Sequence, residues 1–447
     1  MNDYRNKLSF LLREDQFRVR RNRNFNVNYA VTKEFQDNTS DLLRIILGNQ
    51  RRDNYLSTSG DIESLGEKIQ GLDNSLIYGV SSALYLQVVN KLLFKNVQVA
   101  QINNREQQKR RERNDQLVNN SLTAFLNSGS IHGSLQLLYD NQQQSYDIAN
   151  DKSSTPFSER TAFVTPDNKS STLALTGRLV FPFMGLDSLQ SYFSINKFQY
   201  DTPDTINFDD RDELRINTSV IASRKLGSYL KLKALASVNL YHMVYIFGER
   251  SADNNWNRIF RLQTYLDYHP LRTLQIKQGF EVLANYVDYD YEPPNTSVRS
   301  FVFRKFATDD SIHVRLSNRS SFDIDYRLQL DEHGRLFWDN WTEQMLVTRK
   351  SHWFRISYRY TLTPSVWFSP GFSIYRRDEW RHSTNPFGVM MKEKASALFS
   401  RGPAMRFFYV PSSKVRVQIS ATRLAVDAQN QNRYFINNID LQLYWYF

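Results

Sequence analysis

The chain contains no cysteine in 447 residues, which removes disulfides, thiolate zinc sites and cysteine nucleophiles together. It also lacks any run of about 18 apolar residues, so helical membrane spans are excluded. No sequence block repeats at a period of about 20–50 residues, and no low-complexity linker interrupts the chain. Residues Met1 to Arg5 carry no charged-then-apolar leader, and Leu8 to Leu12 is too short to serve as one. A processed, truncated or partial chain is expected. Six histidines, His242, His269, His313, His333, His352 and His382, lack paired metal-ligand spacing. No metal and no cofactor are expected. Helix-like spacing is confined to Ile62 to Ile69 and is assigned to a loop.

The mean hydropathy is -0.55 and hydrophobic residues make up 41% of the sequence. Period-2 strands give such values without being soluble, because half of each strand is polar. The alternation is explicit. Phe322, Ile324, Tyr326, Leu328 and Leu330 interleave with Asp323, Asp325, Arg327, Gln329 and Asp331. Phe354 to Leu362 interleaves with Arg355, Ser357, Arg359 and Thr361, and Val415 to Ala421 with Arg416, Gln418 and Ser420. The segment Leu214 to Leu240 alternates on both sides of Arg224 to Ser228, which marks a hairpin whose register survives the turn. The 30 Phe, 25 Tyr and 7 Trp are an aromatic load suited to girdles at two interfaces.

From Ile439 the chain alternates to its end: Ile439, Leu441, Leu443, Trp445 and Phe447 are apolar and the residues between them polar or phenolic. This ending resembles the C-terminal signal strand of Gram-negative outer-membrane β-barrels of the porin and transport-barrel type, with Leu441, Leu443, Trp445 and Phe447 as the assembly signal. The resemblance implies an all-β fold, a closed antiparallel transmembrane β-barrel of roughly 20 strands, within about 16–22, with about 10 spanning residues per strand. It implies an integral outer-membrane location, contact with lipid and lipopolysaccharide, and recognition by the barrel assembly machinery. A periplasmic partner or plug is a further candidate, since a signal peptide or a periplasmic or plug domain is expected to be missing upstream. A TonB-dependent receptor would need such a plug, and the chain is short for one. A large soluble β-sandwich or propeller is the alternative fold.

Connection lengths should alternate between short periplasmic turns and long extracellular loops. The short ones are placed at Val88 to Lys91, Asn127 to Ser130, Gly185 to Ser188, Arg224 to Ser228, Thr363 to Ser365 and Pro411 to Ser413. The long ones are placed at Arg51 to Asn74, Asn103 to Asp115, Tyr146 to Ser170, Asp201 to Arg211, Phe247 to Trp256, Arg377 to Lys392 and Asp427 to Arg433. Asn318 to Ser321 reads either as a turn or as the middle of one strand. One domain spans 1–447, with 1–23 the least defined part.

The polar positions of these strands hold Arg178, Arg215, Lys231, Lys233, Arg261, Lys277, Arg315, Arg327, Arg355, Arg359, Lys414 and Arg416, against fewer acids, among them Asp323 and Asp325. One reading is a water-filled passage whose basic wall favours anions; the other is cross-strand pairing that braces the interior. The net charge of +11 accompanies no nucleic-acid motif, so no nucleic-acid partner is expected. Lys109, Arg110, Arg111 and Arg113 fall in an expected extracellular loop and are candidates for lipopolysaccharide phosphates. Asp209 to Glu213 and Asp288 to Asp290 are acidic loop runs, solvated rather than metal-binding. His132 and Ser134 resemble the His-x-Ser pair of outer-membrane phospholipases, with Ser as nucleophile and His as base. Their flanking residues Ile131, Leu135, Leu137 and Tyr139 put the pair on the polar face, the wrong side for that family, and no enzyme is expected. The leading function is a channel or a transport or export barrel; a non-conducting surface interaction barrel is the alternative.

Overall fold

The computed structural model describes residues 4–17, 20–35, 39–55, 62–102, 108–148, 167–183, 185–203, 207–292, 298–337, 340, 342–384, 390–412, 415–429 and 432–445. Nearly all of them lie in twenty strands: β1 (Tyr4–Phe17), β2 (Arg20–Glu34), β3 (Ser40–Tyr55), β4 (Ile62–Gly79), β5 (Leu84–Ile102), β6 (Gln108–Ser128), β7 (Ile131–Ile148), β8 (Asn168–Phe183), β9 (Leu186–Asp201), β10 (Arg211–Leu226), β11 (Leu230–Tyr245), β12 (Asn255–Leu271), β13 (Leu274–Tyr289), β14 (Phe301–Arg315), β15 (Ser320–Phe337), β16 (Thr342–Thr363), β17 (Val366–Thr384), β18 (Met390–Ser412), β19 (Val415–Ala428) and β20 (Tyr434–Trp445). A short 3-10 turn spans Gly248–Asp253. The strand number and the all-antiparallel order of chain neighbours are those expected for a β-barrel.

Two compact units can be distinguished. The first comprises Met1–Phe181, Ser191–Asn217 and Tyr241–Asn254, and the second Pro182–Gln190, Thr218–Leu240 and Asn255–Phe447. In the first, β1 to β8 pair in chain order with unbroken registers, for example Leu43 opposite Asn74 and Asn119 opposite Asp140. In the second, β12 to β20 do the same, with register shifts near the ends of several strands.

Because paired residues share a face, each register extends the alternation of one strand to its neighbours. Leu262 of β12 faces Val282 of β13, which faces Phe306 of β14; these side chains are 51%, 49% and 37% exposed. On β7 and β20 the same outward pattern holds for Leu135, Leu137, Leu441 and Leu443. A face of exposed Leu, Val and Phe needs an apolar medium. The opposite face is mostly polar, with aromatic side chains such as Trp353 and Tyr375 set among the charges, and few large side chains are fully buried.

Two glycines are demanded by geometry. Gly227 closes the β10–β11 turn at φ +68, a left-handed conformation that a Cβ disfavours. At Gly402 in β18 a Cβ would lie 1.9 Å from the Arg423 carbonyl oxygen, so only glycine lets β18 approach β19 here.

The turns at 129–130, 227–229 and 364–365 fall where the sequence put them, Gly185 immediately precedes β9, and Asn318 belongs to a turn between β14 and β15. Other expectations are corrected. Strands run from 12 to 23 residues, longer than the ten or so needed to span. The long connections placed at Arg51 to Asn74, Asn103 to Asp115 and Arg377 to Lys392 therefore lie largely inside strands. Ile62 to Ile69 opens β4 instead of a loop, and Val88 to Lys91 lies within β5, the turn being at 80–83. There Val80 donates its backbone N–H to the Leu84 carbonyl at 2.9 Å. Residues 4–17 and 20–23 are regular strand. The connection segments 56–61, 103–107, 149–166 and 385–389, together with Lys414 and Phe447, lie outside the described residues.

Candidate functional site

The polar face of the second unit is the densest array of charge. Its rows follow from the registers. Asp325 of β15 stands opposite Arg355 of β16, and Arg327 opposite Trp353, itself opposite Tyr375 of β17. The next rows are Gln329, Ser351 and Arg377, then Asp331, Arg349 and Glu379.

Most bases in these rows have acids within reach. Arg355 Nη2 donates to Asp325 Oδ2 at 2.7 Å. Arg359 lies 3.5 Å from Asp323, whose Oδ1 is 2.6 Å from His313 Nδ1. Arg327 pairs with Asp309, and Arg349 donates through Nε and Nη2 to Glu379 Oε2 at 3.1 and 3.0 Å. Glu281 accepts from Lys305 at 2.9 Å and meets Arg261 at 3.4 Å. Lys277 faces Asp267 in register. With charge-assisted bonds at these lengths the wall is braced across strands.

Other bases stay open. Lys231, Lys233, Arg315, Arg406 and Arg416 have no ion-pair partner among the described residues, although Arg416 lies 5.7 Å from the Phe408 ring centroid. Near the turns, Trp367 and Phe408 stack at 5.3 Å and 16°, with Arg359 4.8 Å from the Trp367 centroid.

The first unit presents a similar wall. Arg178 of β8 is opposite Ser134 of β7, and Lys95 pairs with Glu67 at 2.7 Å. Arg215 donates to Glu213 at 2.6 Å and lies over the Tyr241 ring. Glu213, only 4% exposed, also accepts from Arg211 at 2.9 Å. Asp209 is engaged by Arg250 and Asp210 by Thr202. The acidic run is thus spent on local partners, and no His or carboxylate group suited to a metal exists among the described residues.

His132 and Ser134 share the polar face as expected, opposite Asn127 and Phe125. No hydrogen bond joins them among the described residues, and no third residue orients the imidazole. Arg113 is not in a loop: it lies in β6, bonded to Asp115 at 3.0 Å. The basic run reads as loop because strand β6 is polar on both faces there. Lys109, Arg110 and Arg111 also belong to β6, their side chains outside the described residues.

Trp353, Tyr375 and Arg377 were missed by sequence reasoning. With Arg327, Asp331 and Arg349 they line a recess of about 490 Å³. The available signal was the odd-numbered position of Trp353, an aromatic in the polar register of β16.

Comparison with known proteins adds little to this picture. No protein-family model matches the sequence, and no curated protein matches it. Among solved structures, the ferric preacinetobactin receptor BauA from Acinetobacter baumannii is 9% identical at a TM-score of 0.45, over 98% of this chain and 75% of that one. The ferric citrate transporter FecA is 10% identical at 0.45, over 99% and 75%. The copper transporter OprC is 12% identical at 0.49, over 90% and 66%. Likeness at this level carries no functional argument.

Proposed function

We propose that the chain is a single integral β-barrel domain of the Gram-negative outer membrane that passes anionic solute through a polar, net basic interior. The observation that supports this is the division between faces: Leu262, Val282 and Phe306 exposed on one side, and the Arg, Asp and Glu rows of β14 to β17 on the other. Hydrocarbon suits the first face and water the second. Closure of the sheet would satisfy the backbone groups of β1 and β20, which lipid cannot hydrogen-bond. The polar face then becomes a lumen. Its paired charges brace the wall, while Lys231, Lys233, Arg315, Arg406 and Arg416 supply a positive field to anything passing. Lipid and lipopolysaccharide would surround the barrel, the barrel assembly machinery would insert it, and a periplasmic partner or plug would set whether it stands open.

The test is to refold the chain in detergent, confirm a β-rich, heat-modifiable state, and record single channels in a planar bilayer under a salt gradient. Open steps with anion-biased reversal support the passage. A folded but electrically silent barrel refutes it in favour of surface interaction through the loops, and a water-soluble monomer needing no detergent refutes the barrel itself.

A further inference from the structure

We infer that the recess between β15, β16 and β17 is a binding subsite for a small carboxylate carrying a ring with a stackable apolar face, with Arg377 as its anion-binding group and Trp353 and Tyr375 as its ring platform. This rests on the reading of the polar face as a water-filled lumen.

The residues come together through register alone. Trp353 and Tyr375 are directly opposite on adjacent strands, and Arg377 is two residues from Tyr375 on the same face. Their recess, about 490 Å³, also takes in Arg327, Arg349 and Asp331, a volume that holds an aryl acid or a monosaccharide. Three guanidinium groups meet one carboxylate in its lining.

The pairing pattern selects Arg377. Arg349 is committed to Glu379, Arg327 to Asp309, and Asp331 accepts both bonds of the Gln329 amide at 3.0 Å. Arg377 has no hydrogen-bond or ion-pair partner among the described residues. A guanidinium left unpaired in the lining of the recess offers a planar fork that matches a carboxylate in bidentate fashion. The indole and phenol beside it offer faces to a planar aryl ring or to the apolar face of a pyranose. The combination distinguishes this recess from the rest of the basic wall, where bases lie beside acids or stand alone.

The test uses the full chain folded in detergent, titrated with benzoate and with D-glucuronate while intrinsic tryptophan fluorescence is followed. Acetate, glucose and inorganic phosphate serve as probes lacking the ring, the charge or the carboxylate. Saturable binding of benzoate, of glucuronate or of both, tighter than any of the three control probes, supports the subsite, and the preferred arm identifies the ring. Arg377→Gln should weaken it about tenfold or more, the scale of one charged hydrogen-bonded contact. Arg377→Lys should restore part of it, Trp353→Phe should remove most of the fluorescence change, and Lys225→Gln, at the exposed end of β10, should leave both affinities unchanged. Each variant is first required to show the heat-modifiable folded state. Phosphate binding as tightly as the ring acids, or unchanged affinity in a folded Arg377→Gln, overturns the proposal. Bilayer conductance is read separately, so a silent barrel that still binds benzoate refutes the passage and leaves the subsite standing.

Discussion

Substituting Arg for Leu262 and, separately, for its neighbour Gln263 tests the division between faces at a single point of the chain. The outward positions of β12 from Phe260 to Tyr268 are Phe260, Leu262, Thr264, Leu266 and Tyr268, with Thr264 at the centre. Leu262 is two residues from that centre. At about 3.3 Å per residue and a strand tilt near 45°, it sits only roughly 5 Å from the midplane of the apolar band. Arg near the midplane of a lipid-facing strand costs about 2–4 kcal/mol, falling toward the interfaces; about 2–3 kcal/mol is expected here. That is a roughly 30- to 150-fold shift in the folding equilibrium. Gln263 points the other way, opposite Glu281, which already meets Lys305 and Arg261; a new guanidinium there stays in water, and the change should stay within about 0.5 kcal/mol. The assay is reversible unfolding in denaturant from lipid vesicles, followed by tryptophan emission. Equal costs at the two positions would refute the assignment of the Leu262 face to hydrocarbon.

Three further outcomes follow from the same structure. In a double-mutant cycle on Arg355 and Asp325, whose side chains are 20% and 26% exposed, the coupling should be about 1–3 kcal/mol, measured by the same unfolding assay. Gly402→Ala should cost about 1–3 kcal/mol or block folding, since its Cβ would press on the Arg423 carbonyl; a heat-modifiability gel reads this directly. Lys231→Gln with Lys233→Gln should reduce anion selectivity in the bilayer reversal potential while leaving unfolding unchanged, because neither lysine has an ion-pair partner among the described residues.

How much of this was legible in the sequence depends on where along a strand one looks. On β16, Phe354, Ile356, Tyr358, Tyr360 and Leu362 alternate against a polar face, and the strand announces itself. Toward its other end the outward positions are Thr348, Lys350 and His352, so both faces are polar and the period-2 signal disappears. Such stretches read as loops. The same loss of contrast hid the ends of β3, β6 and β17. The pairing of Arg355 with Asp325 was open to both readings of the basic wall, because sequence gives the face of each residue and not the register that decides its neighbour.

The recess illustrates the consequence for function. Arg377 stands in the stretch taken for a long loop, where an arginine carries no geometric meaning. The structure extends β17 to Thr384 and pairs Ser351 with Arg377, which carries the polar face one row past the Trp353 and Tyr375 pair. If strands ended where the apolar band ends, that wall would stop short of Arg377, and the ring platform would have no anion-binding group beside it. On the proposed reading the long strands do more than cross a membrane. Their wet extensions build chemistry above the apolar band with the positional accuracy of a sheet, where side chains on a loop would be held far less tightly.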